Sequence, residues 1–138
     1  MKQHSTAMNV TLWTVTVLVA ALFFVAGGAA IGGWMDERFV AWGYSTGFAV
    51  LIGVLEVIFA IALLIQRSAA WASFGLLAIM LGAIGTHLTH AEYAWVALPI
   101  GVALLLGFIA WGRGPERSAS PRLQRHRPPT ETPATSQA

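Results

Sequence analysis

The sequence predicts an all-α polytopic membrane protein: four transmembrane helices in an antiparallel bundle, followed by a disordered C-terminal tail. Three observations predict it. Of 138 residues, 57% are hydrophobic and only 10% are charged, whereas a soluble domain uses about a quarter of its residues to charge its surface. The mean hydropathy is +0.68. The few charges cut the chain into four apolar blocks, each near the ~20 helical residues that cross ~30 Å of hydrocarbon. Connections between blocks are short, so consecutive helices should lie antiparallel to one another.

Residues 1–9 form a cytoplasmic N-terminus carrying Lys2. The first span runs from about residue 10 to 31, ahead of Asp36. A cleaved signal peptide is the competing reading, because Ala26 to Gly33 offers small residues for cleavage. The apolar stretch is long for a signal core, however, and Trp34 marks an interfacial end. The second span, about 45–65, holds a single charge, Glu56. The third covers about 69–88 and the fourth about 94–111, so the transmembrane domain extends over 10–111. Residues 112–138 contain five of the six prolines and five arginines among Ser, Thr and Gln. With so little to bury, this basic segment is expected to be disordered in the cytoplasm. It reads as a topology anchor on anionic lipid, or as a docking segment for a soluble partner.

The net charge is +2, but the surplus lies in the tail beside the membrane, so it points to topology and not to nucleic acid. Seven Lys and Arg residues fall on the side of the termini and the Gln66–Ser68 turn, and only Arg38 falls on the other. That bias puts both termini in the cytoplasm of a multi-pass inner cell-membrane protein. The six tryptophans lie near span ends, as an aromatic belt at both interfaces requires. There is no cysteine, which excludes disulfides, thiolate metal ligands and dithiol–quinone chemistry.

Glu56 lies eleven residues into its span, about 16 Å deep at 1.5 Å per residue. No Lys or Arg within any span can pair with it, so it is expected to face the bundle as an uncharged acid. Ala49, Gly53, Glu56 and Ala60 share one helical face of small residues, where another helix can approach closely. The bland alternative is an acid bonded to a backbone carbonyl as interhelical glue. The third span has a similar small face, Gly75, Ala78, Gly82 and Gly85, and ends Thr86-His87-Leu88-Thr89-His90. Gly53, Ala60, Gly75 and Gly82 are accordingly the expected helix-packing residues. His87 should stand about a dozen Å beyond Glu56 along the bundle, leaving water or Tyr44 to bridge them. His87 and His90 with Glu92 nearby could hold a metal, but two ligands do not close a site, so none is assigned.

Several segments resemble the DoxX-like membrane proteins: Phe24-Val25-Ala26-Gly27, Trp42-Gly43-Tyr44, Leu51-Ile52-Gly53-Val54-Leu55-Glu56 and Met80 through Leu88. The likeness covers roughly residues 9 to 112. It implies a four-helix bundle and kinship with small membrane subunits of thiosulfate:quinone oxidation and of thiol-redox or superoxide defence complexes. The family often has a lysine three residues after the glycine closing its first span, where this chain has Ala30.

The expected role is an accessory or quinone-associated subunit of a redox or oxidative-stress assembly, more a scaffold than an enzyme on its own. Glu56 would be the buried acid of an interhelical cavity, with Tyr44, Thr86 and His87 at its outer mouth, and a quinone the cofactor. A neutral acid in an apolar cleft offers a quinone carbonyl a hydrogen-bond donor. A small proton-coupled transporter and a membrane-protein assembly factor are the alternatives. Partners would be the lipid bilayer, a soluble or membrane redox protein, and, as an open alternative, further copies of the chain.

Overall fold

The computed structural model describes residues 6–114. The expected tail therefore lies, from residue 115 onward, outside the described residues, as do residues 1–5. The described chain folds into five helices: α1 Thr6–Ile31, α2 Asp36–Ala41, α3 Thr46–Leu64, α4 Ala69–Thr89 and α5 Tyr93–Gly112. The four long helices are apolar enough to cross a membrane and alternate in direction. Many large hydrophobic side chains, among them Leu18, Val25, Leu81 and Leu104, face outward where lipid would cover them. Helix α2 is an addition to the expected plan. It occupies the connection between the first two spans, at the end of the bundle opposite the chain termini.

Local chemistry sets the helix ends. Ser45 caps α3 by accepting a hydrogen bond from the Phe48 amide at 3.1 Å. Helices α1, α2 and α4 all stop with the same paired hydrogen bonds, in which a left-handed residue turns the chain back on the last turn. In α1 the pivot is Gly33 (φ +79°), with Trp34 N–H donating to the Ala29 carbonyl. In α2 it is Gly43 (φ +84°), with Tyr44 N–H donating to Phe39. In α4 it is Ala91 (φ +57°), with Glu92 N–H donating to His87.

Packing is uneven around the bundle. Helix α1 lies extensively against α3, and α4 against α5, while α3 meets α4 and α1 meets α5 more sparsely. Phe23, Ala60, Leu63, Leu76, Leu106 and Ile109 centre the buried core, which fills the middle and the end nearer the α3–α4 turn. Buried hydroxyls are satisfied within their own helices: Thr16 donates to the Leu12 carbonyl at 2.6 Å and Ser73 to Ala69 at 2.8 Å. Without water in the hydrocarbon, such internal bonds are the available partners.

Candidate functional site

At the end opposite the termini the bundle is not filled. A cavity of about 370 Å³ opens between α2, α3 and α4. Phe39 of α2 and Trp42, just past the end of that helix, close it on one side, and Tyr44 and Phe48 line another. Ile52 on α3 and Ala78, Ile79 and Ala83 on α4 supply its apolar wall. Phe39 anchors the aromatic side: its ring centroid lies 5.6 Å from Trp42, 6.0 Å from Tyr44 and 6.2 Å from Phe48. The cavity owes its aromatic side to the Gly43 turn, which folds Tyr44 back beside Phe39.

Polar groups gather at one margin. The Tyr44 and Thr86 hydroxyls are 3.0 Å apart, and Thr86 also donates to the Gly82 carbonyl at 3.0 Å. His87 Nδ1 lies 2.7 Å from a carboxylate oxygen of Glu92, and Arg38 reaches the same oxygen at 3.3 Å. The Arg38 guanidinium lies over Trp42 and Trp95, 5.3 and 4.9 Å from their ring centroids, a favourable placement for a cation. The His87 ring meets Trp42 edge-on at 5.3 Å. Glu92 thus joins α2 to the end of α4, where His87 lines the cavity. The hydrogen bond with His87, and next that with Arg38, hold its carboxyl below the usual carboxylate range.

Tyr44, Thr86 and His87 therefore come together on one cavity wall. Glu56 does not join them. It is buried on α3, one turn beyond Ile52, and its Cβ stands beside Gly27 of α1, 3.2 Å from where a Cβ on that glycine would lie. It makes no hydrogen bond or ion pair to another described residue. The reason is local: Gly27 and Gly53 bring α1 and α3 so close that this face of α3 is taken up by α1. The expected packing residues also divide. Ala60 is fully buried, and Gly53 permits the contact with α1. Gly75 accepts the Phe59 ring, which would lie 2.6 Å from any Cβ placed there. Gly82 makes no close helix contact; a Cβ on it would meet nothing within 4 Å, and it lines the cavity.

The Arg38–Glu92–His87 cluster is what sequence reasoning missed. A usable signal was present: among the described residues Arg38 is the one Lys or Arg expected at that end, with Trp42 one helical turn further along the chain.

A family model described as the DoxX-like family matches residues 14–109. No curated protein and no solved structure matches significantly.

Proposed function

The chain belongs to the DoxX-like family, and from that premise we propose that it is an accessory, quinone-associated subunit of a redox or oxidative-stress assembly. The cavity between α2, α3 and α4 is where a quinoid ring would bind. The carrying observation is its make-up: about 370 Å³ of largely apolar, aromatic-lined space with hydroxyls and an imidazole at one margin. Small-molecule sites have this character, at roughly 300–1,000 Å³ with a few convergent polar groups. The chain has no thiol with which to exchange electrons by dithiol chemistry, so the partner enzyme would supply the electrons. The role here is to bind and orient. The same reading puts both termini on the cytoplasmic side, with the cavity toward the opposite face of the membrane.

Gly82 supplies the test. Its open surroundings mean that Gly82→Leu fills the cavity without disturbing a helix contact. Purified protein in detergent should bind decylubiquinone, and Gly82→Leu should weaken that binding at least tenfold at unchanged thermal stability. Absence of binding by the parent protein, or equal binding by both, would refute the reading.

A further inference from the structure

The hydrogens at the polar margin of the cavity are already committed, and this decides which head groups fit. A hydroxyl carries one hydrogen, and a carbonyl oxygen can only accept. Thr86 must therefore be the donor in its 3.0 Å bond to the Gly82 carbonyl. Its oxygen is then the acceptor in the 3.0 Å bond with Tyr44, whose hydrogen is used there. Only this order makes both bonds. It leaves the Tyr44 phenol oxygen with a lone pair and no hydrogen to offer. His87 follows the same logic. The Glu92 carboxylate only accepts, so Nδ1 carries a proton in their 2.7 Å contact.

Tyr44 lines the cavity, and its phenol oxygen thus offers an acceptor and no donor to whatever occupies the margin. We infer that the cavity selects a head group bearing hydroxyl donors, a phenol or hydroquinone, over a shape-matched carbonyl or ether. The inference rests on the reading of this cavity as a small-molecule site. A carbonyl ligand gains a hydrogen bond from Tyr44 only if Tyr44 releases Thr86, one bond lost for each made. A hydroxyl ligand donates and breaks nothing. In a quinone-linked assembly the reduced form of the carrier is therefore held more tightly than the oxidised form.

The test uses two ligands differing only in the donor, 4-heptylphenol and its methyl ether 4-heptylanisole. Full-length protein in detergent is titrated calorimetrically with each at pH 8, with the cavity-filled Gly82→Leu protein as blank. The phenol should bind roughly fivefold or more tightly, the ratio a single hydrogen bond provides. Tyr44→Phe should bring the two together, chiefly by weakening the phenol. Thr86→Val, which frees the Tyr44 hydrogen, should strengthen the ether. Equal binding of both ligands, or preference for the ether, would overturn donor selection while leaving the cavity a binding site. If neither ligand nor decylubiquinone exceeds the blank, the cavity reading falls and the inference with it.

Discussion

Gly27 of α1 and Gly53 of α3 lie backbone against backbone. A Cβ on Gly27 would stand 2.6 Å from the Gly53 carbonyl oxygen, and one on Gly53 2.7 Å from the Gly27 oxygen. Helices in a bilayer associate through such close packing, since apolar burial gives no preference for protein over lipid. Gly27→Ala or Gly53→Ala should therefore destabilise the bundle by about 1–3 kcal/mol through overpacking. Gly28→Ala, whose Cβ meets nothing within 4 Å, should melt like the parent in detergent. Equal melting of all three variants would contradict the contact.

The Glu92 junction should be acid-sensitive. A carboxyl held below its ordinary range contributes stability above the unfolded value, and the contribution is lost as pH falls through the folded one. The attachment of α2 should hold at neutral pH and loosen in acid, below the ordinary glutamate value of about 4.3. Near-ultraviolet dichroism of the tryptophans reads this, since Trp42 and Trp95 flank Arg38. Glu92→Gln should show the loosened signal already at neutral pH and lose the acid transition. An acid transition unchanged in Glu92→Gln would place its origin elsewhere.

The three left-handed helix ends should respond differently to glycine and alanine. Ala91 holds φ +57° with a Cβ, a conformation that costs an L-residue roughly 1–2 kcal/mol. Ala91→Gly relieves this, less the greater entropy that glycine loses on folding, so a small gain in melting temperature is expected. Gly43→Ala, at φ +84°, should lower it and weaken ligand binding, because Tyr44 depends on that turn. Opposite signs for the two variants are the result to look for.

Topology can be checked from the described residues. Glu37→Cys, on α2, and Arg67→Cys, in the α3–α4 turn, lie at opposite ends of the bundle. In intact cells a membrane-impermeant maleimide should label position 37 and spare 67. The reverse pattern would invert the assignment.

Glu56→Gln should leave the affinity for decylubiquinone and for 4-heptylphenol unchanged, because Glu56 is buried against α1 outside the cavity lining. A tenfold loss of affinity at unchanged melting temperature would bring the acid back into the binding chemistry.

The four spans were legible because hydrocarbon demands long apolar blocks, and four charge-bounded blocks leave little else to build. The buried face of α3 was equally readable: Ala49, Gly53, Glu56 and Ala60 all lie inside. What a small-residue face could not disclose is its use. Gly53 admits a helix, Gly75 a phenylalanine ring, and Gly82 leaves a void, yet all three are the same letter at helical spacing. Helix α2 escaped notice because Asp36–Ala41 is too short for a periodic pattern. Glu92 was read beside His87 only as a metal candidate, and the turn that brings the two into contact gave no signal, because Ala91 occupies a left-handed position usually announced by glycine.

The uneven packing around the bundle has a mechanical consequence. Two closely packed helix pairs, α1 with α3 and α4 with α5, meet along two thinner seams, α3 against α4 and α1 against α5, and the cavity lies at the first of these. Sparsely packed contacts are the ones that open at least cost, so both seams should yield before either pair does. A molecule seated in the cavity adds contacts to a seam that has few of its own, so its binding should tie the two pairs together and raise the stability of the whole bundle.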